Sequence, residues 1–128
     1  MTETLPPLEQ LALRMMAMPR DANPGGDIFG GWVISLMDMA GGTIAHHHSK
    51  GRAVLAAIDK MSFLRPVFVG DEVSCYGQVI KTGRTSMQVS IEAWVRRPKD
   101  GDIHKVTQGH FTFVAIDADR KPRDFPKS

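Results

Sequence analysis

Residues 30–48 read Gly30-Gly31-Trp32-Val33-Ile34-Ser35-Leu36-Met37-Asp38-Met39-Ala40-Gly41-Gly42-Thr43-Ile44-Ala45-His46-His47-His48, and this proline-free run decides the fold. An apolar stretch of this length is a buried helix rather than a strand. Its one acid is Asp38. At 100° per residue, Asp38 shares a face with Gly31, Ile34, Ser35, Gly41, Gly42 and Ala45, whereas Trp32, Val33, Leu36, Met37, Met39 and Ile44 point elsewhere. The spacing therefore predicts one face for packing and a small-residue face for close approach by a backbone or a thin ligand. Aspartate inside a helix costs about 0.5 kcal/mol of propensity, and an ionised carboxylate removed from water costs several kcal/mol more unless hydrogen bonds replace its hydration. Such an acid marks a candidate site. The competing reading has Asp38 binding a nearby Ser, Thr or amide and merely fixing the orientation of the helix.

Upstream, Asp21-Ala22-Asn23-Pro24-Gly25-Gly26-Asp27-Ile28-Phe29-Gly30-Gly31 forms a turn-rich loop. It delivers free amides at a helix start, where unpaired N–H groups and a partial positive charge of about half a unit suit an oxyanion or a polarised carbonyl. The loop is not a phosphate-binding P-loop, because no Gly-Lys-Ser/Thr follows it. Before it, the dense apolar residues from Leu8 to Met18 predict a strand closed by Pro19.

Downstream the pattern changes to period two. Ala53 to Arg65 is extended and ends at Pro66, which forces its predecessor away from helix. Val73, Cys75, Gly77 and Val79 alternate with polar residues, and so do Met87, Val89, Ile91, Ala93 and Val95 between Ser86 and Arg97. Thr82-Gly83-Arg84 is the hairpin turn between these runs, and Asp100-Gly101 turns the chain into a last strand, His104 to Ile116. Strand, helix and four more strands, joined mostly by hairpins, predict an α+β layer: a curved antiparallel sheet wrapped around one long central helix.

Composition narrows the function classes. With 128 residues, 42% hydrophobic and 23% charged, the chain has the balance of one soluble globular domain spanning 1–128. A net charge of +2, with Arg120, Lys121, Arg123 and Lys127 interleaved with Asp117, Asp119 and Asp124, makes no nucleic-acid stripe. That tail is either a solvated segment or an aid to holding a phosphorylated ligand. Neither a membrane span nor a secretory leader is read, so no membrane insertion and a cytoplasmic address are expected. The lone Cys75, in an alternating run, reads as structural. His46, His47 and His48 point 100° apart and suit a helix C-terminus better than one metal ion, so no metal and no cofactor are expected.

Taken in order, Asp-Ala-Asn, Gly-Asp-Ile-Phe-Gly-Gly-Trp, Leu-Met-Asp-Met-Ala-Gly-Gly, Phe-Leu-Arg-Pro-Val and Gly-Arg-Thr-Ser resemble the YciA-like acyl-CoA thioesterases over nearly the whole chain. The resemblance implies a hotdog fold, hydrolysis of acyl-CoA thioesters, and dimers assembling into a hexamer as a trimer of dimers. It makes Asp38 the catalytic carboxylate, as general base or nucleophile. It places Asn23 beside the reacting carbonyl or water, and the amide of Gly30 or Gly31 on the thioester oxygen. Arg65 and the run Gly83, Arg84, Thr85 and Ser86 match segments that resemble the family's coenzyme A contacts.

Gly30 and Asp38 are eight positions apart on one helix, so they are separated by about 12 Å. Groups acting on one carbonyl must lie within roughly 3 Å of their targets. If both serve one reaction, they come from two chains. Two alternatives remain open: a non-catalytic acyl-CoA-binding protein, which would not need the acid at Asp38, and a hydratase or dehydratase, for which His110 is the one nominee.

Overall fold

The computed structural model describes residues 3–127. Strand β1 (Leu11–Met16) leads through the loop into helix α1 (Gly30–Ser49), and β2 (Ala53–Phe63), β3 (Glu72–Thr82), β4 (Ser86–Arg96) and β5 (Ile103–Ala115) follow. They form one antiparallel sheet in the order β1-β3-β4-β5-β2. Leu8–Gln10, expected as the start of a strand, is a 3-10 turn instead, and Pro19–Asp21 makes a second one. The sheet wraps the helix, as expected of a hotdog fold.

Alternation puts Val73, Cys75, Met87, Val89, Ile91, Ala93, Phe111 and Phe113 in the core. Val33, Leu36, Met37, Ala40, Gly41 and Ala45 of α1 pack onto that surface. Gly41 permits the approach, because a Cβ there would stand 2.6 Å from Ile91 Cδ1 and 2.8 Å from Phe113 Cε1. This corrects the face reading of the sequence. Gly41 and Ala45 are buried against the sheet, whereas Gly31 and Ser35 of the same set are exposed. Gly41 lies 60° to one side of Asp38 and Gly42 40° to the other, so the acid sits at the margin of the packed face and is half-buried.

The helix ends at Lys50, in the left-handed region at φ 57°, with the three histidines in its last turn. Its last carbonyl, and two from the segments beside it, find a cation from the tail. Arg123 donates from Nη1 to Ser49 O at 3.1 Å, from Nη2 to Arg52 O at 3.3 Å, and from Nε to Ile116 O at 2.9 Å. The tail is thus partly a structural cap rather than only a solvated segment. At the other margin of the sheet, β2 is an edge strand of 11 residues whose middle stretch, 56–60, is exposed.

Candidate functional site

An open cleft of about 370 Å³ lies at the helix start, lined by Asn23, Asp27, Ile28, Gly30, Phe63, Leu64, Arg65 and Pro66. It gathers three of the sequence-predicted residues, Asn23, Gly30 and Arg65, from three separate segments. The loop that carries Asn23 is held by its own side chain. Asn23 Oδ1 accepts from the Gly25 N–H at 2.8 Å and from the Asp27 N–H at 3.2 Å, while the Asn23 N–H donates to Asp27 O at 2.6 Å. With its oxygen committed, the side chain offers its NH2 group, a donor and not a base.

No side chain caps the helix at Phe29, and the Trp32 N–H closes on Phe29 O at 3.1 Å. The amides of Gly30 and Gly31 therefore have no intrahelical acceptor. Gly31 is exposed, and a Cβ on it would meet nothing within 4 Å. The ring of Phe63 stands over Gly30, 3.6 Å from where a Cβ would lie, so the first amides are bordered by an apolar wall on one side and by Asn23 on the other.

Arg65 Nη1 donates to Lys105 O at 2.8 Å. The same nitrogen is 2.8 Å from Glu3 Oε1, an ion contact from the N-terminal segment, and His104 Nδ1 is 3.8 Å from that oxygen. The cation at the cleft rim already faces a carboxylate.

Asp38 is outside this cleft, two turns along the helix, about 12 Å from Gly30. Among the described residues its carboxylate has no side-chain hydrogen-bond partner, which leaves the orientation-fixing reading without the Ser, Thr or amide it requires. Gly83, Arg84, Thr85 and Ser86 are also elsewhere. They form the β3–β4 hairpin tip, where the Gly83 N–H donates to Ser86 O at 2.9 Å and the Ala115 N–H to Thr85 O at 2.8 Å. Arg84 is exposed and 3.7 Å from Asp124, and Lys127 Nζ donates to Arg84 O at 3.0 Å. The tip lies at the helix C-terminal end of the sheet, toward the opposite end of β3 from the cleft. One chain thus holds the residues in three places, and no single bound carbonyl touches all of them.

Other nominees fall away from the cleft. His110 alternates with the core residues Phe111 and Gly109, so it occupies the opposite face, opposed across the strands by Asp59 and Ser90. Cys75 is buried, and desolvation pushes its thiol up to about 12. Among the described residues no three His, Cys, Asp or Glu side chains converge as metal ligands would, and no helix is long and apolar enough to cross a membrane. Sequence reasoning missed Asp71 and Arg97, which hold the cleft wall from behind; an acid after Gly70 and a cation before Pro98 carry no signal of their own.

The thioesterase superfamily model matches residues 25–101. The chain is 46% identical over 123 residues to the acyl-CoA thioester hydrolase YciA of Salmonella typhimurium, an alignment covering 94% of this chain and 92% of that protein. The hexameric thioesterase from Yersinia pestis superposes with a TM-score of 0.90 at 46% identity, covering 95% of this chain and 99% of that one. A hexameric broad-specificity acyl-coenzyme A thioesterase gives a TM-score of 0.89 at 44% identity, over 92% of this chain and 87% of the other.

Proposed function

The chain belongs to the thioesterase superfamily, and from that membership we propose that it hydrolyses acyl-CoA thioesters to coenzyme A and a carboxylic acid at a site shared between two chains. One observation carries the reading: Asn23, the first helix amides and Arg65 converge on one cleft whose one lining acid, Asp27, is an exposed loop residue, while Asp38 of the helix stands uncommitted about 12 Å away. A second copy supplies the missing carboxylate. β2 offers the means, because it ends the sheet with a long unpaired edge that an equivalent strand can extend. The hexameric assembly of the relatives supports dimers that associate further into a trimer of dimers.

In this reading the thioester carbonyl oxygen sits at the helix start, where the amides of Gly30 and Gly31 and the Asn23 NH2 donate to it. An aligned donor of this kind contributes about 3 kcal/mol once negative charge develops on the oxygen. Asp38 of the second chain then acts on the carbonyl carbon, either by deprotonating a water or by direct attack through a mixed anhydride that water opens. Both routes consume one water, break the C–S bond, and leave the carboxylate, with the thiolate taking up a proton. Arg65 at the rim, and the hairpin Gly83-Arg84-Thr85-Ser86 of a neighbouring chain, hold the phosphorylated part of coenzyme A. Neither step calls for a cofactor beyond the substrate itself.

Release of free thiol from a short acyl-CoA, compared between wild type and Asp38→Asn, tests the proposal. Turnover by wild type and its loss in the variant support it. Binding without thiol release returns the protein to an acyl-CoA-binding role, and hydration of an enoyl-CoA without thiol release moves it to a hydratase.

A further inference from the structure

Behind the cleft, the turn from Pro66 to Asp71 is closed into a ring by one side chain. Arg97, at the exit of β4, donates from Nη2 to Pro66 O at 3.2 Å and from Nη1 to the carboxylate of Asp71, and its guanidinium lies 4.8 Å from the centroid of the Phe68 ring. Asp71 Oδ2 also accepts from the Phe68 N–H at 2.9 Å. Asp71 is 1% exposed, so the carboxylate half of this ion pair is buried, while the Arg97 guanidinium is partly exposed.

Both ends of the segment that carries Asn23 are hydrogen-bonded to this one turn. At its start, the Ala17 N–H donates to Asp71 O at 2.9 Å and the Gly70 N–H donates to Ala17 O at 2.8 Å. At its end, the Ile28 N–H donates to Val67 O at 2.8 Å, and Asp27 bridges to Phe68. Ile28 lies two residues before the helix start, and Arg65 immediately precedes the turn. All three cleft elements therefore take their positions from a turn of which only Pro66 lines the cleft, while Arg97 and Asp71 stand behind it.

We propose that Arg97 and Asp71 are positioning residues for the reaction: their ion pair sets where the Asn23 amide and the first helix amides stand relative to the thioester oxygen. This rests on the function proposed above. Lysine cannot replace Arg97, because a single ammonium cannot reach Pro66 O and the Asp71 carboxylate together while also covering the Phe68 ring. Misplacing donors by about 1 Å costs up to roughly 100-fold in rate.

The test is a double-mutant cycle of Arg97→Lys and Asn23→Ala, read as steady-state kinetics on a short acyl-CoA well below the melting temperature of every variant. Arg97→Lys is expected to lower kcat by about 10- to 100-fold while changing KM less than about threefold. If Arg97 acts through Asn23 and the helix amides, the loss in the double variant falls well short of the product of the two single losses. Losses that multiply, or a wild-type kcat in Arg97→Lys with only a lowered melting temperature, make the pair a structural brace and overturn the proposal while leaving the function intact. Full activity in Asn23→Ala removes Asn23 from the reaction and overturns the positioning claim with it. Should Arg97→Lys not fold, Asp71→Asn, which keeps an acceptor for the Phe68 N–H, enters the cycle with the same outcomes.

Discussion

Arg65 Nη1 stands 2.8 Å from Glu3 Oε1, so the cation at the rim of the cleft is already faced by a carboxylate from the N-terminal segment. If Arg65 holds a coenzyme A phosphate as proposed, that phosphate must first displace the carboxylate. Both side chains are more than a third exposed, so the pair is worth little in stability and its effect falls on ligand affinity. Glu3→Gln is expected to lower KM for acyl-CoA by about two- to threefold at low salt, with the difference shrinking at high salt, and Arg65→Met to raise it. Steady-state kinetics at two ionic strengths check both. Unchanged KM values in both variants would take Arg65 out of the coenzyme A site.

Asp38→Asn keeps the size of the side chain and removes the carboxylate proposed to act as base or nucleophile. Because Asp38 is half-buried and has no side-chain hydrogen-bond partner among the described residues, its melting temperature is expected to stay within a few degrees of wild type. Its kcat is expected to fall by about 100- to 10,000-fold. Parallel thermal melts and thiol-release assays separate the two effects.

Gly41 and Gly31 make a contrasting pair. Gly41→Ala drives a methyl to 2.6 Å from Ile91 Cδ1, an overpacking expected to cost about 1–3 kcal/mol and to appear as a lowered melting temperature. Gly31→Ala meets nothing within 4 Å, so the chain is expected to fold as well as wild type. Any loss of activity in that variant then reports on what approaches Gly31 from outside the chain.

Much of this was legible in the sequence. The helix is observed at Gly30–Ser49 against an expectation of Gly30 to about His48, and the hairpins follow their period-two runs, because buried periodicity and turn residues are local signals. The face of Asp38 was only half legible. A helical wheel gives angles between residues but not the direction of the sheet, so Gly41 and Ala45 were assigned to the open side when both pack inward. The Arg97–Asp71 ring and the Arg123 cap were invisible for another reason. They join residues 26 and 74 positions apart, and only the folded sheet brings those together.

Cys75 supplies a prediction with a sign. Burial pushes its thiol up to about 12, so in the folded state it stays protonated where an unfolded chain has begun to ionise. Its contribution to stability is complete below the unfolded value near 9 and is lost as pH rises toward about 12. Thiol reagents at pH 8 are expected to spare the native protein and its activity, and to label Cys75 only after denaturation. Rapid native labelling with loss of activity would contradict this.

The central claim is that Asp38 and the Asn23 cleft of one site come from different chains. Asp38→Ala and Asn23→Ala proteins, each strongly reduced in activity alone, are mixed in equal amounts and allowed to exchange subunits, with exchange verified by mass-tagged dimers. A mixed dimer keeps one site with both residues intact, and mixed dimers are half of a random population. The expected recovery is therefore about a quarter of wild-type activity. Activity that stays at the level of the two parents after proven exchange would place both residues in a site built by one chain and contradict the account.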